Sequence, residues 1–342
     1  MEIINPLGYP AWDDLVGSNP AGSFFHTTNW ARVLKESYGY TPKYFTILTN
    51  GTLQALIPIM EIDSALTGRR GVSLPFSDYS EPFAENAENY RRLVEEVVRY
   101  GKKAGWKTIE IRGGEGPWKE ARTYSEYYGH RKKLNSSEKE LFTCLRTNMQ
   151  RNVNKALKNG ISVVFLKSAD AIDVYYRLHC ITRKKHGIPP QPRIFFRKIH
   201  EHILSRDMGF VALASYNNNV IAGSVYFHFD KQAIYKYGAS NDIGRNYRAN
   251  NLIMWEAIKL YSRNGYECLL FGRTECYNRG LRDYKMGYGV EEYGIKYYKY
   301  NIRKNKVMAN SVFPHSYLNK TFRHIPIPLS RAIGELLYKH IG

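Results

Sequence analysis

Two short asparagine-containing turns, each set between two apolar runs of strand character, constrain the fold of this chain most strongly. Asn50-Gly51 separates YFTILT from LQALIPIMEI, and the turn at 217–219 separates FVALASY from VIAGSVYFHF. Asn-Gly supplies the positive φ angles that a two-residue hairpin turn requires, and asparagine tolerates the same backbone region. We therefore expect one antiparallel hairpin in each half of the chain.

The elements around the two hairpins follow a matching order. In the first half these are a helix at 28–37 capped by Thr27 or Thr28, the hairpin, the strand GVSLPF, a helix at 86–104, the strand WKTIEIR and a short helix near 117–128. The second half has the strand ISVVFL, a helix from Ser168 to Gly187, a helix at 193–206, the hairpin, the strand AIYKYGA, a helix at 250–263, the strand ECLLF, a helix at 278–286 and the strand IKYYKYN. This order predicts an α/β protein with mixed (α+β) sheets, built as two similar units.

The length fits this division, because 342 residues correspond to about two domains at roughly 150 residues each. We expect a first domain at 1–135, a second at 136–305 and a C-terminal tail at 306–342. The stretch 136–160 has a helical pattern and would join the two domains. The tail ends in the amphipathic sequence RAIGELLYKHI, which we expect to pack back on the domain; contact with a membrane surface is the alternative.

Composition excludes several classes of protein. A hydrophobic fraction of 43% and an aromatic fraction of 14% exclude a disordered chain. No apolar run approaches the roughly 18 residues of a membrane helix, and the acidic N-terminus does not resemble a secretory signal. The four cysteines are too few and too scattered for a disulfide framework. These features predict a soluble cytoplasmic protein.

The net charge of +19 is confined to the second part of the chain. Residues 1–130 carry a net charge of −2, residues 131–206 carry +12 and residues 207–342 carry +9. Such asymmetry suggests that the second part meets a polyanion, for which nucleic acid, a pyrophosphate or an anionic membrane would each serve. The alternative is a basic protein whose lysines only maintain solubility.

Common catalytic motifs are missing from the sequence. It has no P-loop, no dinucleotide-binding glycine fingerprint, no nucleophile elbow and no His-Glu-x-x-His pair. The ten histidines are scattered, so we expect neither a metal nor a bound cofactor.

Five phrases occur together in a characteristic order. They are WARVLK (30–35), LPFSDYSEP (74–82), RNVNKALKNGISV (151–163), YKYGASNDIGRNYRANNLIMWEAI (235–258) and FGRTECYNRGLRDYKMGYG (271–289). Through them the chain, over about 20–305, resembles the Fem-type peptidoglycan-bridge aminoacyltransferases and their FemAB-like relatives. That resemblance implies two tandem GNAT-like acyltransferase domains, with the acceptor on the first and the donor on the second.

The resemblance also implies roles for individual residues. Lys285, preceded by Tyr284, matches the family's lysine that stabilises charge on the transferred acyl group; a solvent-exposed helix lysine is the alternative. Aminolysis of an ester passes through an oxyanion, which a fixed ammonium favours. Lys158 stands where the family has a phosphate-binding arginine, and Lys35 lies one place from the family's lysine. Asp78 and Tyr79 follow LPF, where the family contacts its acceptor; a turn role for Asp78 is the alternative.

Acetyl-CoA-dependent relatives carry a glycine-rich pyrophosphate loop before the helix at 250–263, whereas this chain has Arg245, Arg248, Asn250 and Asn251 there, without the glycines. We interpret these four residues as donor contacts. A basic group around IPPQP could bind phosphates, although cations that end a helix also favour its dipole; it comprises Arg183, Lys184, Lys185, Arg193, Arg197 and Lys198.

The sequence thus favours an aminoacyltransferase that uses aminoacyl-tRNA and acylates an amine of a peptidoglycan precursor or a related cell-envelope acceptor, with tRNA rather than DNA as its nucleic acid. Two alternatives stay open. One is an acyl-CoA-dependent N-acyltransferase acting on a sugar or peptide amine in polysaccharide biosynthesis. The other is a non-enzymatic RNA-binding protein of the same fold.

Overall fold

The computed structural model describes residues 1–78, 80–114, 122–309 and 322–342. The chain divides into two compact units. Unit 1 comprises Met1–Tyr127, Gly294–Phe313 and Leu337–Gly342, and unit 2 comprises Tyr128–Tyr293 and Pro314–Leu336. Both units are mixed α/β structures, which confirms the predicted fold class.

Unit 1 is built on a mixed sheet with the strand order β1-β2-β3-β4-β6-β14. Its strands are β1 (Glu2–Ile4), β2 (Thr41–Thr49), β3 (Thr52–Ile62), β4 (Arg70–Val72), β5 (Phe83–Ala84), β6 (Thr108–Arg112), the unit 1 part of β14 (Glu291–Asn301) and β15 (Lys306–Val307). Its helices are α1 (Trp12–Gly17), α2 (Thr28–Tyr38) and α3 (Ala87–Lys103). Strands β4 and β6 are parallel, whereas β2 and β3 form the predicted hairpin.

The hairpin of unit 1 has the turn that its sequence predicts. Asn50 and Gly51 have φ angles of 51° and 75°, and Thr49 pairs with Thr52 across the turn. The inward faces of β2 and β3 pack against α3 around Trp106, whose indole nitrogen donates a 2.7 Å hydrogen bond to Glu61.

Unit 2 has a mixed sheet with the strand order β7-β12-β11-β10-β9-β8. Its strands are β7 (Ser125–Lys133, of which 128–133 lie in this unit), β8 (Ser162–Leu166), β9 (Gly209–Tyr216), β10 (Asn219–Phe229), β11 (Gln232–Ser240), β12 (Cys268–Leu270) and β13 (Thr274–Glu275). Its helices are α4 (Glu138–Thr143), α5 (Thr147–Lys158), α6 (Ala169–His186), α7 (Arg193–His202), α8 (Asp242–Asn246), α9 (Ala249–Arg263), α10 (Arg279–Met286) and the first ten residues of α11 (Ile327–Ile341).

Helices cover both faces of the unit 2 sheet. Alternate residues of β9, such as Phe210 and Ala212, belong to one core with α5 and the apolar helix α9. On the opposite face, Gly223 of β10 lies against Leu213 and against Tyr175 of α6. A side chain at Gly223 would therefore separate α6 from the sheet.

Helix α6 begins and ends at the residues that the sequence indicates. Ser168 accepts a hydrogen bond from the Ala171 amide, and Gly187 has the left-handed conformation, with a φ of 69°. Asn217 and Asn218 both have positive φ, which confirms the second hairpin turn.

One predicted helix is wrong, and one stretch of helical pattern is confirmed but interrupted. The helix near 117–128 overlaps β7, which begins at Ser125; residues 115–121 lie outside the described part of the chain. The helix at 136–160 is interrupted between α4 and α5, because Arg146 is extended and its amide donates to the Gly287 carbonyl. Among the described residues, no helix is long and apolar enough to cross a bilayer.

Candidate active site in unit 2

The parallel strands β11 and β12 separate at their carboxyl ends. They share only three register pairs, from Gln232 with Cys268 to Ile234 with Leu270. Strand β12 ends at Leu270, whereas β11 continues to Ser240. Strand β11 also has a bulge at Lys236, beyond its last pair with β12, where its register against β10 shifts. Crevices of this kind, outside the carboxyl ends of parallel strands, are where open α/β sheets bind ligands.

Lys285 belongs to α10, and its ammonium lies just beyond the end of β12. Its side chain is buried, with the residue only 2% exposed, so the alternative of a solvent-exposed lysine is wrong. Its Nζ donates 3.0 Å hydrogen bonds to the carbonyls of Gly272 and Arg273, in the loop that follows β12. Both of these acceptors are neutral peptide oxygens, and together they fix the position of the ammonium. A buried cation held in this way is expensive to desolvate and is typical of a functional site.

Tyr284 belongs to a chain of hydrogen bonds that joins α10 to the start of α9. Asn251 Nδ2 lies 3.3 Å from the Tyr288 hydroxyl, which donates to the Tyr284 hydroxyl at 3.3 Å. The Tyr284 hydroxyl donates in turn to the Asn250 carbonyl at 3.3 Å. Burial holds the pKa of Tyr284 well above its ordinary value, so its hydroxyl stays neutral. The structure thus joins three residues named from the sequence, Tyr284, Asn250 and Asn251, in one chain of hydrogen bonds, and Lys285 follows Tyr284 on α10.

The segment before α9 differs from a glycine-rich phosphate loop. Arg248 is the residue preceding α9 and has a left-handed conformation with a φ of 63°. Arg245 is on the short helix α8, where its guanidinium lies 2.7 Å from Asp242. The same carboxylate accepts a 3.0 Å hydrogen bond from Lys185 at the end of α6. Arg245 and Lys185, named for different reasons, therefore meet at one aspartate.

The remaining members of the proposed phosphate patch lie on α6 and α7. Arg193 makes a two-pronged ion pair with Asp173, and Lys198 lies 2.7 Å from Glu201. Arg183 donates to the Pro189 carbonyl at 3.3 Å in the loop that follows α6. Lys184 is half-buried and Arg197 is exposed. Such surface ion pairs are weak, so phosphates could compete for these cations.

Four further residues were named from the sequence. Lys158 is exposed in the last turn of α5. Lys35 is exposed on α2 of unit 1, and the Asp78 carbonyl of that unit accepts a 2.6 Å hydrogen bond from Tyr297. Tyr79 lies outside the described residues.

A charged cluster next to Lys285 was not found from the sequence. Arg282, one turn before Lys285 on α10, donates to both oxygens of Glu292 on β14, at 2.8 and 2.6 Å. His130 on β7 makes a 3.0 Å hydrogen bond with Glu292 through Nε2. The hydrogen bonds from Arg282 lower the pKa of Glu292, and burial followed by the charge of Lys285 lowers the pKa of His130.

This cluster escaped the sequence analysis because its three members are separated along the chain and belong to three elements. His130 is one of ten scattered histidines, and the sequence predicted a helix near it instead of the strand β7 that carries it. The only local signal is the spacing of Arg282 and Lys285, which puts two cations on one face of a helix.

Comparison with known families identifies the domain that holds this site. Residues 144–294 match the acetyltransferase (GNAT) domain family. This range includes α9, α10, Lys285 and the diverging strands. A search among curated proteins finds no match to this sequence.

Solved structures share the fold over most of the chain. The crystal structure of FemX superposes with a TM-score of 0.68 at 14% identity, covering 86% of this chain and 96% of FemX. A tandem GNAT protein from the clavulanic acid biosynthesis pathway gives a TM-score of 0.57 at 11% identity, covering 87% and 95% of the two chains. The C-terminal domain of a putative lysylphosphatidylglycerol synthetase from Agrobacterium fabrum gives 0.54 at 14% identity, covering 84% and 89%. Residues 144–294 therefore carry a GNAT domain, and the chain as a whole shares its fold with FemX and with a tandem GNAT protein.

Proposed function

We propose that this chain transfers an aminoacyl group from aminoacyl-tRNA to an amine of a peptidoglycan precursor or a related cell-envelope acceptor. The observation that carries the proposal is the buried ammonium of Lys285, fixed by two carbonyls where β11 and β12 part. Two proteins with this fold support the proposal by their names: FemX shares its name with the Fem-type family that the sequence resembles, and the putative lysylphosphatidylglycerol synthetase is named for an aminoacylated lipid.

In the proposed reaction the acceptor amine attacks the ester carbonyl of the donor. A new C–N bond forms, the carbonyl oxygen becomes an oxyanion, and the C–O bond to the tRNA ribose then breaks. The amine proton ends on the departing ribose oxygen. The ammonium of Lys285 would stabilise the oxyanion, and its fixed position means that no reorganisation is needed as charge develops. Catalysis would otherwise depend on holding the two reactants together.

The basic charge of the chain suits a large polyanionic donor. Residues 131–342 carry all of the positive excess, and two of their surface cations, Lys185 and Arg245, make exposed ion pairs with Asp242. Contacts with tRNA phosphates need no base reading, and they release counterions, so binding would weaken steeply with salt.

An acyl-CoA donor is the second candidate. It is favoured by the GNAT domain match and by the fold of the tandem GNAT protein. The segment before α9 argues against an acyl-CoA donor. Asn246 and Arg248 stand there in place of the glycines that would leave the backbone amides open to a pyrophosphate. A protein that binds RNA without catalysis is the third candidate.

Donor binding distinguishes these candidates. Binding is measured by titrating the purified protein with charged bulk tRNA, with deacylated tRNA and with acetyl-CoA at several salt concentrations. Acyl transfer to added amine acceptors is followed separately by mass spectrometry. Salt-sensitive tRNA binding together with transfer from charged tRNA would support the proposal. Binding of acetyl-CoA without binding of tRNA would refute it, and tRNA binding without transfer to any acceptor would favour the third candidate.

A further inference from the structure

Helix α10 is short and packs on the core of unit 2 through Tyr284. It has eight residues, and Lys285 is the one residue among them that is buried. Yet the position of Lys285 depends on where this helix lies. A helix of eight residues, with four of them half-buried and three exposed, needs specific polar contacts as well if its lysine is to stay in one place.

Arg282 provides such a contact on the side of β7 and β14. Its guanidinium makes a two-pronged ion pair with Glu292 and lies 4.2 Å from the ring centre of Tyr128. A bidentate pair fixes direction as well as distance, which a single-point contact does not. Because Arg282 and Lys285 are three residues apart on one helix, fixing the first constrains the second.

His130 completes this arrangement from the sheet. Its ring is buried, with the side chain 0% exposed, and it shares Glu292 Oε2 with Arg282. An ionised carboxylate only accepts hydrogen bonds, so Nε2 carries the hydrogen, and Nδ1 of the neutral ring has no hydrogen-bond partner among the described residues. The carbonyl of His130 also accepts from the Phe271 amide at 2.9 Å, which places it level with the end of β12.

We propose that His130, Glu292 and Arg282 form a clamp that positions Lys285 by holding α10 against the sheet. None of the three residues is assigned contact with the reactants. The clamp rests on the proposed function only in that Lys285 is taken as the group that stabilises the oxyanion. It needs a neutral His130, because a buried imidazolium would add a third positive charge beside Lys285 and Arg282, opposite the carboxylate of Glu292.

Three variants test the clamp. Glu292→Gln removes its anion, Arg282→Lys keeps the charge but loses the bidentate geometry, and His130→Gln keeps a donor to Glu292 without a titrating ring. We expect the first two to lower kcat for acyl transfer by about tenfold to a hundredfold with little change in KM, as for a misplaced catalytic group. His130→Gln should stay within about threefold of the wild type at pH 7, and it should lose less activity than the wild type as the pH falls below 6.5 far enough to protonate His130, whose pKa burial lowers.

Hydrogen exchange provides a measurement that does not depend on activity. Amides of α10 should exchange at least about tenfold faster in Glu292→Gln and Arg282→Lys, whereas those of α9 should not change. The matched control is Glu291→Gln, which breaks only the exposed pair with Lys133 on the neighbouring position of β14. That variant should leave both α10 exchange and kcat unchanged.

The outcomes separate the clamp from the proposed function. Unchanged α10 exchange in the two clamp variants, or a Glu291→Gln effect as large as theirs, overturns the clamp. An identical pH dependence in His130→Gln and the wild type overturns the role of the neutral ring. Full transfer activity in Lys285→Ala refutes the proposed function instead, and the clamp is then decided by the exchange data alone.

Discussion

Acidification should destabilise unit 2 through His179, a histidine that the fold keeps neutral. His179 lies on α6 and is 4% exposed, with its ring 4.9 Å from that of Phe196. Its Nε2 lies 2.8 Å from Oε1 of Gln191. Burial, assisted by the charge of Arg183, lowers the pKa of His179 to about 3, whereas the hydrogen bond to Gln191 opposes this shift.

The sign and size of the effect follow from proton linkage. The unfolded chain binds a proton at a pKa of 6.5, whereas the folded chain does so only at about 3. The stability contribution is therefore complete above pH 6.5 and is lost as the pH falls towards 3. Between pH 7 and pH 5 the expected loss from this residue is about 2 kcal/mol. His26 of unit 1, whose pKa burial lowers to about 4, should contribute a similar loss there.

Urea unfolding of the wild type and of His179→Gln at pH 7 and pH 5, followed by circular dichroism, measures this quantity. Glutamine can keep a donor to Gln191 but does not titrate, so the variant should lose about 2 kcal/mol less than the wild type on acidification. The difference between the two pH-dependent losses is informative even if the variant is less stable overall. Equal losses in the two proteins would refute the inference that His179 is buried and neutral.

Three other predictions concern the site and its donor. Tyr288→Phe removes the hydroxyl that contacts Asn251 and should cost about 1 kcal/mol in urea unfolding; no cost would mean that the bond contributes nothing. Gly238→Ala places a Cβ 1.9 Å from the Tyr235 hydroxyl and should cost about 1–3 kcal/mol, whereas Gly280→Ala meets nothing within 4 Å and should be neutral or stabilising. Binding of tRNA should fall by at least about tenfold between 50 and 200 mM salt, and a flat salt response would exclude phosphate contacts.

Local rules predicted much of the secondary structure. The turns at Asn50-Gly51 and at 217–219, the cap at Ser168 and the end of α6 at Gly187 all depend on neighbouring residues, and the structure confirms them. The break between α4 and α5 could not be predicted in this way. It depends on a hydrogen bond from Arg146 to the Gly287 carbonyl, which is remote in sequence.

The candidate site was predictable only in part for the same reason. Lys285 was identified through resemblance to a family, but its burial depends on two carbonyls of the loop after β12. The contacts of His130 and Glu292 join residues 162 positions apart. No local pattern in a single sequence reports such a pairing.

The most direct test of the central claim is single-turnover transfer from charged tRNA by Lys285→Ala and by a matched variant, Lys132→Ala. Lys132 is also a buried lysine, 3% exposed, and its Nζ donates to the Gly289 carbonyl at 3.3 Å. Losing a fixed cation at the oxyanion should slow transfer by about a hundredfold to a thousandfold in Lys285→Ala, and Lys132→Ala should show no comparable loss once folded protein is counted. Equal rates in Lys285→Ala and the wild type would contradict the assignment of Lys285 as the stabilising cation.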